Sequence, residues 1–198
     1  MWNERYSDAF KAYGTRPNDW LREVADTIPE GPVLCLAEGE GRNAVFLAKR
    51  GHDVTAVDQS EVGLENANTL AARHDVSLTT IVADLADFEL GKERWAAIVS
   101  IWAHVPTSLR ESLHAACVDA IAPGGVFILE AYTPAQLEQP GLGGPPTEAL
   151  LMRPEVLKRE LDGLTFTRCE EVLRDVQEGE NHKGPSATVQ LLATKPNP

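Results

Sequence analysis

Apolar positions along this chain alternate between two rhythms from Asn18 onward. Trp20, Leu21, Val24 and Ile28 recur at helical spacing behind a capping Asn18 or Asp19. Pro29 and Gly31-Pro32 break that helix, and the run Val33 to Ala37 reads as a short buried strand. Arg42 to Arg50 predicts a helix stopped by Gly51, and Val54 to Val57 a second strand ending at Asp58. Ser60 is placed to cap a helix whose inner face is Leu64, Ala67, Leu70 and Ala71. Val76 to Val82 alternates with polar residues and predicts a third strand; Trp95 to Trp102 predicts a fourth. Ser108 and Glu111 form a capping-box pattern ahead of Leu109, Leu113, Ala116, Cys117, Ala120 and Ile121, and Pro123-Gly124-Gly125 closes that helix. Val126 to Ala131 predicts a fifth strand, and a Pro/Gly-rich loop runs over 134–146. Pro154 opens a helix ending near Leu161. Two late extended segments, 166–176 and 187–194, predict a closing antiparallel pair.

Five strand–helix alternations imply an α/β, doubly wound, mostly parallel sheet with helices on both faces, and the late pair adds a C-terminal antiparallel hairpin. Without repeats or a clear linker, residues 1–198 predict a single domain. In such sheets ligands bind beyond the carboxyl ends of the strands, so functional residues are expected just after each strand.

Composition narrows the partners. Hydrophobic residues make up 43% of the chain, enough for a sizeable core, and the formal net charge is -12. That charge repels a phosphate backbone, so nucleic acid is not an expected partner. Cys35, Cys117 and Cys169 are dispersed and odd in number, which speaks against a disulfide framework and for a reducing compartment. The start MWNERYSDAFK lacks a signal-peptide apolar segment, and no run is long enough to span a bilayer. The expectation is a soluble cytoplasmic protein, monomer or homodimer, acting on a small molecule away from membranes.

Gly39-Glu40-Gly41-Arg42-Asn43-Ala44 spells G-x-G-x-x-A between a strand and a helix. Glycines permit a tight turn and close approach of a ligand to backbone amides, although the same pattern serves as an ordinary strand-to-helix turn. Asp58 follows 19 residues after Gly39, near the spacing of a ribose-binding acid, and a carboxylate there also suits a helix cap. Turn, spacing and strand end together favour a nucleoside-containing ligand, either a nicotinamide dinucleotide or S-adenosylmethionine. Asp84 and Leu85, in VADLADF after the third strand, add an acid suited to an adenine amino group.

The ordered segments VLCLAEGEGRNAVFLAKRGHDVTAVDQS, VADLADF, AIVSIWAHVP and IAPGGVFILEAY resemble class I S-adenosylmethionine-dependent methyltransferases, and are similar to the small bacterial tellurite-resistance branch. The resemblance spans roughly 18–198 and implies a seven-stranded Rossmann-like sheet. It also implies roles: Gly39 and Gly41 packing on the methionine part with Asn43 beside them, Asp58 on the ribose, and Gln59 beside the adenine. Asp84 and the Leu85 amide would meet the adenine edge, with Ser100 and Ile101 near the sulfonium. Residues 1–17, through YGTRPND, would form an N-terminal lid in which Tyr13 and Arg16 close over the cofactor. The family has an acid at position 35 and a glycine at 37, where this chain has Cys35 and Ala37. Glu38 or Glu40 is then the candidate for the cofactor's ammonium.

The acceptor is less defined. No D/N-P-P-Y follows the fourth strand and no Pro-Cys nucleophile is present, which disfavours methylation of bases. His104 after the fourth strand and His182 in EGENHKG are candidate catalytic residues. Lys183, Glu130, Tyr132 and Trp102 are candidates for the acceptor pocket, with a chalcogen oxyanion or a thiol as acceptor classes. No His/Cys/Asp cluster has metal-ligand spacing, so no metal is expected. Two other readings stay open: an NAD(P)-dependent oxidoreductase sharing the glycine turn and Asp58, and a non-catalytic S-adenosylmethionine-binding module.

Overall fold

The structure, a computed structural model, describes all 198 residues. Seven strands form one sheet in the order β3-β2-β1-β4-β5-β7-β6. They are β1 (Pro32–Leu36), β2 (Asp53–Asp58), β3 (Thr79–Val82), β4 (Trp95–Ile101), β5 (Ile121–Tyr132), β6 (Thr165–Glu178) and β7 (His182–Thr194). The first five pair in parallel, and β7 runs antiparallel to both β5 and β6. Six helices accompany them: α1 (Trp2–Arg5), α2 (Asp19–Val24), α3 (Arg42–Lys49), α4 (Glu61–Arg73), α5 (Thr107–Ala120) and α6 (Pro154–Glu160). This is the doubly wound sheet with an antiparallel hairpin that the pattern predicts. No helix is long and apolar enough to cross a membrane.

Strand alternation builds two cores. Leu34, Leu36, Ile98, Phe127 and Leu129 face Leu113, Cys117, Leu157 and Leu161 of α5 and α6. Val33, Cys35, Ala97, Val99 and Ile128 face Trp20, Leu21, Ala44, Leu47 and Leu64 of α2, α3 and α4. Strand order reverses between β1 and β4, so the carboxyl ends of these two strands open the crevice at which such sheets bind ligands.

Four predicted boundaries shift. Ile121 and Pro123-Gly124-Gly125 belong to the start of β5 rather than to the end of α5, which stops at Ala120. Val76 does not begin β3; its amide bonds to the Ala71 carbonyl (3.1 Å) after Asp75 turns at φ 56°, and its side chain packs on Leu70 and Ala71. The Ser108–Glu111 capping box does not form. Pro106 is the N-cap and α5 starts at Thr107, so Ser108 lies inside the first turn. The hairpin strands run longer than predicted, leaving only 179–181 as the turn, so His182 and Lys183 lie in β7 rather than in its loop.

Candidate functional site

The glycine turn is set by backbone geometry. Gly39 (φ 63°) and Gly41 (φ 83°) both sit in the left-handed region, where L side chains are strained. At Gly41 a Cβ would come within 2.6 Å of Ala67 on α4. Glu38 reaches forward across the turn, and its Oε1 accepts from the amides of Asn43 (3.0 Å) and Ala44 (2.9 Å), capping α3. Asp58 closes the turn from β2: Oδ2 accepts from the Gly39 amide (2.9 Å) and Oδ1 from the Ser60 amide (2.8 Å). Ser60 Oγ in turn accepts from Gly63, capping α4.

Three acids thus converge on one turn. Burial pushes the Glu38 carboxyl up to about 7, against the pull of the α3 amides and Arg42. Burial also raises Glu40 and Asp58, again against hydrogen bonds from backbone amides. Glu38 lies beside Cys35, whose thiol is held protonated by burial and by the neighbouring carboxyl. Cys35 is therefore inert as a nucleophile.

The N-terminal segment lies across this turn as a strap. Tyr6 is wedged between two glycines: a Cβ on Gly39 would meet its hydroxyl at 2.5 Å, and one on Gly63 its ring at 3.0 Å. Its burial and the nearby Asp58 raise its phenol well above the ordinary range. Ser60 donates to Asn3 (2.7 Å), Asn66 to the Tyr6 carbonyl (3.0 Å), and the Phe10 amide to Glu40 Oε1 (2.6 Å). Further on, the Lys11 and Ala12 carbonyls accept from Glu180 and Asn181 in the hairpin turn. The strap therefore joins the glycine turn to the β6–β7 hairpin.

Beyond β4, β5 and the start of β7 lies an aromatic cluster. Trp102 stacks on Tyr132 at 4.4 Å between ring centroids. His182 stands edge-on to Trp102 (5.0 Å), Tyr132 (5.3 Å) and Tyr13 of the strap (4.8 Å). The Tyr132 hydroxyl and His182 Nδ1 are buried without a hydrogen-bond partner. Ser186 lies beside Tyr132, but its hydroxyl donates to the Gly184 carbonyl (2.9 Å). Gly143 and Gly144 pack on the Tyr132 ring where any Cβ would clash.

Behind the cluster runs a buried ion network. Glu178 accepts from Arg42 (2.6 Å), Arg174 (2.8 Å), Asn18 (2.9 Å) and the Trp102 indole (2.7 Å). Glu130, fully buried, accepts from both Nε and Nη2 of Arg174, from Asn18, Thr188 and Gln190. Burial alone would raise Glu178, but Arg42, Trp102 and Arg174 outweigh it and bring it down to about 2. Trp102 itself is held at φ 59°, an uncommon backbone for a bulky residue, by this indole bond and by its amide bond to the Glu130 carbonyl (2.9 Å).

The sequence-predicted residues separate into groups. Gly39, Gly41, Glu38, Glu40 and Asp58 meet at the turn. Asn43 is beside them but points to α2, accepting from the Asn18 amide (2.9 Å). Gln59 and Asp84 are exposed at the strand ends, with Asp84 accepting from Ala86 (2.9 Å), and Leu85 is half-buried next to it. Ser100 and Ile101 are buried at the end of β4. Arg16 is exposed, and its carbonyl accepts from Arg42 (3.3 Å).

Geometry changes three readings. His104 does not offer a base: Nδ1 bonds to the Leu150 carbonyl (2.8 Å) and Nε2 takes the Tyr132 amide (3.2 Å), while burial lowers it to about 4. It props Tyr132 in place. Glu130 is consumed by the ion network and does not line a pocket. Lys183 is exposed where His182 is buried, because neighbouring strand residues point to opposite faces. Its backbone bridges Leu142. Arg42, Arg174 and Glu178 were not expected from the sequence. Their one trace is the same-parity placement of Arg174 and Glu178 on a strand.

Comparison with known proteins adds to this geometry. Residues 33–125 match the model of the methyltransferase domain family. A 2-heptyl-1-hydroxyquinolin-4(1H)-one methyltransferase of Mycobacteroides abscessus is 30% identical over 118 residues, 58% of this chain and 52% of that protein. The chain spans about half the length of that relative, and 28% of an uncharacterized Bacillus subtilis methyltransferase, YbaJ, that is 32% identical over 74 residues, 37% of this chain. In fold it is similar to TehB from Haemophilus influenzae, with a TM-score of 0.75 and 18% identity over 98% of this chain and 67% of that one. It is similar too to the magnesium protoporphyrin IX methyltransferase of Synechocystis solved with bound SAM, with a TM-score of 0.63 and 18% identity over 89% of this chain and 74% of that one. Residues 33–125 thus carry a match to the methyltransferase domain family, within a sheet whose strand order and glycine turn give the fold of class I S-adenosylmethionine-dependent methyltransferases.

Proposed function

We propose that this chain transfers a methyl group from S-adenosylmethionine to a small-molecule acceptor by in-line displacement. The observation that carries the reading is the convergence of Glu38, Glu40 and Asp58 on a left-handed glycine turn at the switch point of the sheet. This set of acceptors suits a ligand with a cationic amine and a ribose diol. Glu40 Oε2 is buried without a partner, and each Asp58 oxygen keeps a second lone pair beyond its backbone bond.

In this reading Glu38 and Glu40 stand in for the acid missing at Cys35 and hold the ammonium. Asp58 holds the ribose hydroxyls, with Gln59 beside the adenine. Asp84 and the Leu85 amide bind the adenine edge. Ser100 and Ile101 present backbone beside the reacting centre, and Arg16 pairs with the ligand's carboxylate. Residues 1–17 act as a lid, with Tyr6 and Tyr13 excluding water. The cofactor supplies a methyl group already activated on a sulfonium, so alignment carries much of the rate. Trp102, Tyr132 and His182 provide the wall against which an acceptor is aligned.

A nicotinamide reading shares the turn and Asp58 but not the family match over 33–125. Calorimetric titration with S-adenosylmethionine and S-adenosylhomocysteine is the test. Binding of both with one site per chain is expected, and heat from neither at millimolar ligand overturns the proposal.

A further inference from the structure

A cavity of about 410 Å³ opens between α5, α6 and the segment that follows β5, and shares no residue with the glycine turn or the aromatic cluster. Thr107 and Arg110, one turn apart at the start of α5, form one wall. Pro134, Leu151 and Val156 form its apolar part. The Thr107 hydroxyl donates to the Ala149 carbonyl (2.9 Å) and ties the two walls together. Ala149 and Leu151 bracket Leu150, whose carbonyl bonds to His104 Nδ1, so the cavity backs onto the segment that holds His104.

Two features of this wall suit negative charge. The first is the Arg110 guanidinium. Its side chain is 4% exposed, Nε and Nη2 fork onto Glu160 at 2.8 to 3.1 Å, and Nη1 is buried without a partner. In a planar guanidinium gripped along the Nε–Nη2 edge, both N–H groups of Nη1 point away from that carboxylate. A buried donor left unmet is costly, and a ligand oxygen at Nη1 relieves that cost. The second is the start of α5, a helix of 14 residues. Its N-cap, Pro106, supplies no side-chain bond, so the positive end of the helix has no capping group. Arg153, on the rim, adds a charge free to turn inward. Its pair with Glu148 is exposed, and exposed pairs hold weakly.

We propose that this cavity binds a small organic monoanion, a carboxylate on an apolar body, at a site separate from that of methyl transfer. The carboxylate accepts from Arg110 Nη1, the start of α5 and Arg153 add to the attraction, and Pro134, Leu151 and Val156 cover the body. One negative charge suits the site. Glu160 already neutralises Arg110, and Glu148 stands on the rim, so a dianion such as phosphate would be undercompensated. The volume lies in the range of small-ligand pockets, about 300–1,000 Å³. Nothing in this site depends on the methyl donor.

The full chain is titrated with benzoate, hexanoate, benzamide and phosphate, followed by calorimetry and ligand-observed NMR. Both carboxylates are expected to bind at one site per chain, benzoate about tenfold or more tightly than its uncharged counterpart benzamide. Two variants locate the site. Val156→Trp fills the cavity from α6, leaves the Arg110–Glu160 pair intact and is expected to remove benzoate binding. Arg110→Met combined with Glu160→Met removes both charges together, so that neither is left buried alone, and is expected to bring benzoate down to the level of benzamide. Urea midpoints show that each variant is folded, and the two act on different walls, so a folding defect in one leaves the other to decide. Full benzoate affinity in a folded Val156→Trp chain overturns the proposal. So do equal binding of benzoate and benzamide, tighter binding of phosphate, and displacement of benzoate by saturating S-adenosylhomocysteine. Absence of carboxylate binding at tens of millimolar overturns it as well.

Discussion

The two halves of the sheet's carboxyl edge handle charge in opposite ways. Around β1 and β2, Glu38, Glu40 and Asp58 are brought together with backbone amides as their main partners, and burial raises all three. Around β5, β6 and β7, Glu130 and Glu178 are buried as deeply but matched by Arg174 and Arg42. The first half holds unspent negative charge and is suited to a cationic ligand. The second has closed its charges internally and presents aromatic rings. In the proposed function donor and acceptor lie on opposite sides of the strap, whose Phe10 amide touches the first half and whose Tyr13 ring touches the second.

The largest expected effect is on the closed half. Glu178→Ala removes the partner shared by Arg42, Arg174 and the Trp102 indole, leaving Arg42 a buried guanidinium without its carboxylate. Breaking a buried pair in this way costs about 3–5 kcal/mol, to be read as a lowered urea midpoint. Since Glu178 sits at about 2, its stabilisation is present above its ordinary value near 4.5 and is lost as pH falls toward 2. Wild-type stability in Glu178→Ala would mean the network is not what neutralises this side.

Asp58→Ala tests the open half. It removes a carboxylate that orders Gly39 and Ser60 and, in the proposed function, binds two hydroxyls. Hydrogen bonds to charged groups contribute about 1.5–3 kcal/mol, so calorimetry should show S-adenosylmethionine affinity weakened roughly 10- to 100-fold. Equal loss of folding stability from Asp58→Ala and Glu178→Ala would erase the distinction between the two halves.

A pH series separates them more finely. Glu38 is lifted from near 4.5 to about 7, so it contributes stability in its protonated form that is lost as pH rises through about 7. Cofactor binding should run the other way. If the ammonium pairs with ionised Glu38, affinity rises by up to about tenfold per pH unit below about 7 and then levels. Glu38→Gln, which cannot ionise, should flatten that slope. A slope unchanged in Glu38→Gln would return the ammonium contact to Glu40.

Much of the open half was legible in the sequence because its parts are local. The glycine turn, Asp58 at a strand end and the Ser60 cap are set within a few residues of one another, and the two periodicities located the strands and helices. The closed half was not, because its partners meet only through the sheet. Arg42 starts α3 and Glu178 ends β6, and nothing in either segment announces the other. The predicted sixth strand ended near Val176, which left Glu178 outside it and placed His182-Lys183 in a loop. Only the register that pairs Glu178 with His182 shows that His182 turns inward beside Glu178 and Lys183 outward. His104 was placed correctly after β4, but its Nε2 is taken by the Tyr132 amide at the end of β5 and its Nδ1 by Leu150, in a segment that folds back over it.

The smallest expected effect falls at the hinge of the open half. Ala37 joins β1 to the glycine turn at φ 48°, where the resemblance to the family leads one to expect glycine. A Cβ in the left-handed region costs about 1–2 kcal/mol, while glycine adds unfolded-state entropy of about 0.5–1 kcal/mol. Ala37→Gly should therefore stabilise the chain by at most about 1.5 kcal/mol, measurable as a small rise in the urea midpoint. The same change leaves Glu38, Glu40 and Asp58 in place, so S-adenosylmethionine affinity should stay within about twofold of wild type. A marked fall in affinity would mean that the strained alanine itself aims Glu38 across the turn. The departures at Cys35, Ala37 and Glu38 would then be one coupled rearrangement, with Glu38 positioned by the backbone next to it rather than by its bonds to the α3 amides.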